Sequence, residues 1–203
     1  MNSRKGEYAV VMLIELEKVS KNIGRRPVFN GLSLKVANGE FLLVTGPNGS
    51  GKTLLLFLLA GVLRPDRGEL RRSREIGATA FAPDRGGLDD FLSVRANIQP
   101  WCASKTAVDR EVERWGLGDL GGELVERLSS GQRRRTVLAR LFAREEARLL
   151  LLDEPLNGLD DAHRDILLRA MKEALGRGQT LVVCSHESDY FESLGPRTVK
   201  LGI

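Results

Sequence analysis

The spacing of hydrophobic and polar positions changes several times along the chain, and each change predicts an element. Leu13 to Val19 and Leu32 to Val36 partly alternate, which predicts two strands of an edge sheet with one face covered. Asn38 and Gly39 supply a turn. Phe41 to Thr45 is short and apolar up to Gly46, as a strand buried on both faces of a parallel sheet would be. From Lys52 one uninterrupted helical stretch runs to about Gly61, with Pro65 and Gly68 as stop signals. A brief connection from Gly68 leads to a predicted core strand at Ile76 to Phe81. Ser93 to Gly131, which contains Trp101 and Trp115, is helix-rich and punctuated by glycine. A helix from Gln132 to about Ala143, a strand at Leu149 to Leu152, a helix from about Asp161 to Leu175 closed by Gly176, and a strand at Leu181 to Ser185 follow. Strands alternating with helices predict an α/β fold built on a mostly parallel sheet. No repeat, low-complexity tract or flexible linker interrupts it.

Length and composition narrow this picture only a little. With 203 residues, 42% hydrophobic and 29% charged, the chain can bury one sizeable core. A net charge of +4 is a mild basic excess without the continuous stripe of a dedicated nucleic-acid binder, so no nucleic-acid partner is expected. Arg71, Arg72 and Arg74 form one cluster and Arg133, Arg134 and Arg135 another; both read first as a solvated helix face or hairpin tip, with anionic lipid headgroups or a partner as the alternative. Cys102, Cys184, His163 and His186 show no zinc-site spacing, which suits a reduced, cytosolic chain. The longest apolar stretch, Leu54 to Leu63, falls short of the roughly 20 residues a bilayer requires. Any membrane span must therefore come from another chain. Arg4 and Lys5 before Ala9 to Ile14 superficially suggest a secretory signal, but Glu15 and Glu17 interrupt the run. The first eleven residues are expected to be a leader or a misassigned start, poorly ordered unless they extend the first strand.

The chemistry is concentrated in four segments. Gly46 to Thr53 reads GPNGSGKT and fits G-x-x-x-x-G-K-[ST] at every fixed place. Gly46, Gly49 and Gly51 allow amide hydrogens to converge on phosphate oxygens, with Pro47, Asn48 and Ser50 completing the loop. Lys52 offers a positive charge to the β- and γ-phosphates, and the Thr53 hydroxyl a ligand for magnesium. LLLLDEP then sets Asp153 and Glu154 directly after a buried strand. LSSGQ, from Leu128 to Gln132, reads in isolation as a serine-glycine helix cap. His186 closes the last apolar run, whereas His163, on a helix, reads as structural.

Taken in this order, the four segments resemble the ATP-binding cassette family, whose members clamp ATP between two copies of the fold. The resemblance spans nearly the whole chain. It implies a phosphate-loop, RecA-like core over residues 12–92 and 132–203, with an antiparallel β edge subdomain, and a helical subdomain over 93–131, all within one domain. It also implies that Asp153 orders Mg2+ through water, that Glu154 polarises the attacking water, and that His186 senses the γ-phosphate. Ser129, Ser130, Gly131 and Gln132 would face the ATP of a second, head-to-tail subunit, and Asp160 would belong to a loop communicating across that dimer. Asp160 or Asp161 would serve equally as a helix cap. Two departures stand out: Asp84 occupies the place of a glutamine that contacts the metal, and Ile23 lies near the place of an aromatic that stacks on adenine.

The function this implies is the ATPase subunit of a transporter, on the cytoplasmic face of the membrane and paired with an integral permease. The strings LSSGQRRR and DEPLNGLD look most like the haem-export ATPases of cytochrome c maturation. Two other classes remain: a soluble cassette ATPase of assembly or nucleic-acid work, and a weakly hydrolytic regulatory module, the latter favoured by Asp84 and Ile23. Motifs common to a family do not name its cargo.

Overall fold

The computed structural model describes residues 11–202. The expectation about the first eleven residues falls, except for Val11, outside that range.

Strand β1 (Met12–Ile23) and strand β2 (Arg26–Ala37) form a hairpin longer at both ends than the alternation marked. Gly24, at φ 59, allows the tight turn between them. Strand β3 (Phe41–Thr45) opens the second sheet and runs into helix α1 (Lys52–Ala60). Strand β4 (Arg67–Arg72) then returns to pair antiparallel with β1, giving a three-stranded sheet ordered β2-β1-β4. Arg71 and Arg72 therefore lie on an edge strand rather than at a hairpin tip. The Arg71 fork donates to Glu69 at 2.7 and 2.6 Å, and Arg72 reaches the Thr79 hydroxyl at 3.2 Å.

The next core strand is shorter and later than predicted. Strand β5 spans Thr79–Ala82, while residues 74–76 form a 3-10 turn that Ser73 caps. Gly77, at φ 55, separates the two. Helices α2 (Val94–Ile98) and α3 (Lys105–Arg114) follow, then α4 (Ser130–Phe142), strand β6 (Leu149–Asp153), helix α5 (Asp161–Gly176), and strands β7 (Thr180–Cys184) and β8 (Arg197–Lys200). The five-stranded sheet runs β5-β6-β7-β3-β8 with every adjacent pair parallel.

Alternation within these buried strands divides the core into two layers. Leu42, Val44, Leu149, Leu151 and Val182 pack with α1 and the inner face of the antiparallel sheet. Phe41, Leu43, Leu150, Leu152 and Val183 pack on the opposite side with α4 and α5. Helix α1 is thus covered on two sides, which is why Leu54, Leu55, Leu56, Leu58 and Leu59 are all buried and no polar stripe exists. Trp115, just past α3, stacks on Phe142 of α4 with ring centroids 5.9 Å apart, fastening the helical segment to the core.

Candidate functional site

The parallel sheet delivers three chain ends to one edge. Val44 and Asp153 both lie in register with Cys184, so the loop after β3, the carboxylates ending β6 and the residues after β7 emerge together. This is the carboxyl edge of the strands, the usual place for ligands in open α/β sheets.

The loop from Gly46 to Gly51 closes tightly against its surroundings. A Cβ on Gly46 would stand 2.3 Å from the Leu201 carbonyl oxygen, and one on Gly51 would stand 2.5 Å from Val28 Cγ1. Both residues also adopt positive φ, so glycine is required on two grounds. Lys52 is buried, and its Nζ donates to Gly46 O at 2.9 Å and Pro47 O at 3.4 Å. Gly51 caps α1 in a left-handed conformation, and no acidic side chain occupies the first turn, leaving the positive helix end available to an anion. Asn48 and Gly49 face the same cleft, of about 460 Å3. Ser50 differs: its amide donates to Pro47 O at 3.2 Å, and its Oγ is buried against Gly46 with no hydrogen-bond partner among the described residues.

Opposite the lysine stand the carboxylates. Asp153 is only 2% exposed and accepts a 2.6 Å hydrogen bond from the Thr53 hydroxyl. Burial raises its carboxyl above the ordinary value; the Thr53 bond and Arg134 oppose this, and the Glu154 and Asp84 charges add to it. Glu154 has φ 44, uncommon for a residue with a Cβ, and its amide donates to Cys184 O at 2.8 Å. That turn directs the carboxylate back into the cleft. Its Oε1 lies 3.5 Å from Lys52 Nζ, and its Oε2 lies 2.9 Å from His186 Nδ1 while accepting the His186 amide at 3.2 Å. Cys184, beneath them, has its thiol pushed up by burial and stays protonated.

Of the remaining candidates, Asp84 and Ile23 line this cleft and the others are placed elsewhere. Helix α4 starts at Ser130, two residues before the expected Gln132. Ser129 Oγ accepts from the Gln132 amide at 3.3 Å, and Gln132 Oε1 accepts from the Ser129 amide at 2.8 Å. This reciprocal cap engages both side chains and makes the helix-cap reading correct as far as it goes. Ser130 lines a second cleft of about 510 Å3, with Asp84, Arg134, Asn157 and Gly158. Gly131 abuts Gly158 so closely that a Cβ would stand 2.7 Å from the Gly158 oxygen. Asp160 caps α5 by accepting the His163 amide at 2.9 Å. Asp84 lines both clefts, and its Oδ1 accepts from Asn157 Nδ2 at 2.8 Å. Ile23, 61% exposed, shares the far wall of the first cleft with Arg26 and Val28.

The expectation for Arg133 to Arg135 is overturned. Arg134 is 5% exposed and donates to Pro83 O at 2.6 Å, Asp153 O at 2.7 Å and Pro155 O at 3.3 Å. Burial lowers its pKa to about 10 against the pull of Asp84, Asp153 and Glu154. Arg133 donates to Val125 O at 2.9 Å and pairs with Asp90. The spacing carried the signal, since Val137, Leu138 and Leu141 follow Arg134 at the offsets of a single helix face.

Thr53 and Asp153 suit a hard cation, being oxygen donors with a buried negative charge that a neutral hydroxyl only partly offsets. Among the described residues no group of three or more His, Cys, Asp or Glu side chains is placed to hold a metal alone. A cation here would need ligands from phosphate and water, which is the habit of Mg2+. No helix among the described residues is long and apolar enough to cross a membrane.

A phosphate loop, two carboxylates and a histidine at the edge of this sheet define a nucleotide-hydrolysing P-loop protein with a helical insertion. Residues 29–157 match the ABC transporter family, and the chain belongs to it as an ATP-binding, ATP-hydrolysing subunit. It is 37% identical over 181 residues to the cytochrome c biogenesis ATP-binding export protein CcmA of Sphingopyxis alaskensis, covering 87% of this chain and 91% of that one. CcmA of Novosphingobium aromaticivorans is 41% identical over 164 residues, covering 81% and 83% of the two chains. The Nod factor export ATP-binding protein I of Paraburkholderia xenovorans is 32% identical over 198 residues, covering 89% of this chain and 65% of that one. Among solved structures, the dimeric post-hydrolysis state of the ATP-binding cassette MJ0796, bound to ADP and Pi, superposes with a TM-score of 0.82 at 21% identity. That match covers 93% of this chain and 94% of the other, and it establishes the RecA-like fold.

Proposed function

We propose that two copies of this chain clamp ATP head to tail and drive a permease from the cytoplasmic face of the membrane, in the export step of cytochrome c maturation with haem as cargo. One observation carries the dimer. Lys52, Thr53, Asp153 and Glu154 wall a single cleft, whereas Ser129 to Gln132 and Asp160 of the same chain do not line it. The site is complete only when a second copy brings those residues to it.

In this reading the main chain of Gly46, Pro47, Asn48, Gly49, Ser50 and Gly51 cradles the phosphates, and Lys52 leaves its carbonyl partners to meet them. Thr53, Asp153 and Asp84 would hold Mg2+, which would supply positive charge against the phosphate oxygens. Glu154 orients water and accepts its proton, a role typically contributing about 10²–10⁴-fold in rate. His186 keeps the Glu154 carboxylate aimed and meets the γ-phosphate. Ser129, Ser130, Gly131 and Gln132 of the other copy present a helix N-terminus to the same phosphate, and Asp160 carries the state of one site to the other.

The cargo rests on the names of the CcmA relatives and on LSSGQRRR and DEPLNGLD. The Nod factor export relative marks how wide the cargo range is at this similarity. The test is purification of the chain from membranes with identification of its companion. A polytopic permease whose ATPase complex is stimulated by haem is the expected result. A chain recovered without a membrane companion, and stimulated by RNA or DNA, contradicts the transport reading.

A further inference from the structure

A polar bridge outside the nucleotide cleft joins the loop before α5 to α4 and to the end of α3. His163, in the first turn of α5, has Nδ1 2.6 Å from Asp160 Oδ1 and Nε2 2.8 Å from Arg135 Nη1. A guanidinium nitrogen can only donate, so Nε2 accepts and the ring proton resides on Nδ1, which donates a hydrogen bond to the Asp160 carboxylate. The partners thus fix one neutral tautomer. Arg135 Nη1 also donates to Trp115 O at 3.1 Å and Gly116 O at 2.9 Å, carbonyls at the C-terminal end of α3 where a cation is favourable. Space for the junction comes from Gly116, whose Cβ would stand 3.0 Å from Arg135 Nη1 and 3.2 Å from His163 Nε2.

We infer that His163 is a positioning residue for ATP hydrolysis, a neutral imidazole that locks the Asp160 loop to helix α4 through Arg135. The inference rests on the proposed role of Asp160 and Ser129 to Gln132 at the nucleotide of a second copy. These segments approach that nucleotide from different elements, and the bridge makes them one rigid body. Asp160 alone is a solvent-facing helix cap; tied to Arg135, it moves with the serine segment and with the helical segment packed behind it.

The experiment combines turnover with nitrogen NMR of the full chain labelled at histidine, where His163 and His186 are the only two histidines. His163 is expected to show a protonated Nδ1 and an accepting Nε2 at neutral pH, and Arg135→Ala to release the ring into a tautomer mixture. A ring protonated on both nitrogens, or unchanged by Arg135→Ala, overturns the bridge. His163→Ala is expected to lower kcat about 10- to 100-fold, the scale of a misplaced site, with ATP affinity and thermal stability close to the parent's. His163→Asn keeps a donor for Asp160, His163→Gln keeps an acceptor for Arg135, and each should recover only part of the rate. Combining His163→Ala with Arg135→Ala should cost no more than Arg135→Ala alone. Unchanged kcat, or a loss matched by lost affinity or stability, overturns the inference. A parent chain without ATPase activity would instead contradict the proposed function, leaving the tautomer measurement to judge the bridge by itself.

Discussion

Asp153 carries a carboxylate where water barely reaches, with the Thr53 hydroxyl as its one direct side-chain hydrogen-bond partner among the described residues. Burial raises its pKa, so the folded chain keeps this proton to higher pH than the unfolded chain, whose aspartates titrate near 3.9. The stability contributed by this group is full below that value and is lost as pH rises through the raised one. Asp153→Asn should therefore make the nucleotide-free chain more stable than the parent to urea at pH 7, with the advantage vanishing towards pH 4, while turnover is lost. A less stable variant at pH 7 would show that the protein stabilises the charge without any cation. Such a trade of stability for a poised charge is ordinary at functional sites. Asp153, Glu154, Lys52 and Thr53 were legible because their chemistry is tied to fixed spacing beside glycines and a buried strand. Arg134 was not, because three adjacent arginines look alike in composition and only helix geometry turns the middle one inward.

At the scale of elements, buried strands and the leucine-rich helix followed from apolar runs alone, whereas their edges depended on turn chemistry. Ile76 is buried without belonging to a strand, because the Ser73 cap and the positive φ of Gly77 make a 3-10 turn first. A run of apolar residues cannot distinguish the two. Arg134 shows how such elements are tied. Its guanidinium joins α4 to the end of β6 and to the loops at Pro83 and Pro155, all of which bear residues of the cleft. Arg134→Ala would leave three carbonyls without this donor, a loss of at least about 3 kcal/mol at 1–3 kcal/mol for each unsatisfied group. Urea denaturation measures it. Arg134→Lys should recover less than half, since a single ammonium cannot replace a planar fork that serves three carbonyls. Full recovery by lysine would mean that charge alone matters there.

For the whole molecule, the proposed dimer would join what a single chain holds apart. The phosphate cradle and carboxylates open at one cleft, and the serine cap of α4 and the α5 cap lie outside it. The resemblance pointed to this arrangement from the order of motifs, but no periodicity or spacing in one sequence reveals a contact made by a second copy. Glu154→Gln removes the proposed proton acceptor while sparing the cradle. Analytical ultracentrifugation of that variant, with ATP and Mg2+ and in parallel with a turnover assay, tests the account most directly. The predicted result is a monomer without nucleotide, a dimer with ATP, and hydrolysis reduced by at least about 100-fold, the low end of what a general base contributes. A variant that stays monomeric with ATP bound, or hydrolyses it at the parental rate, would contradict the account.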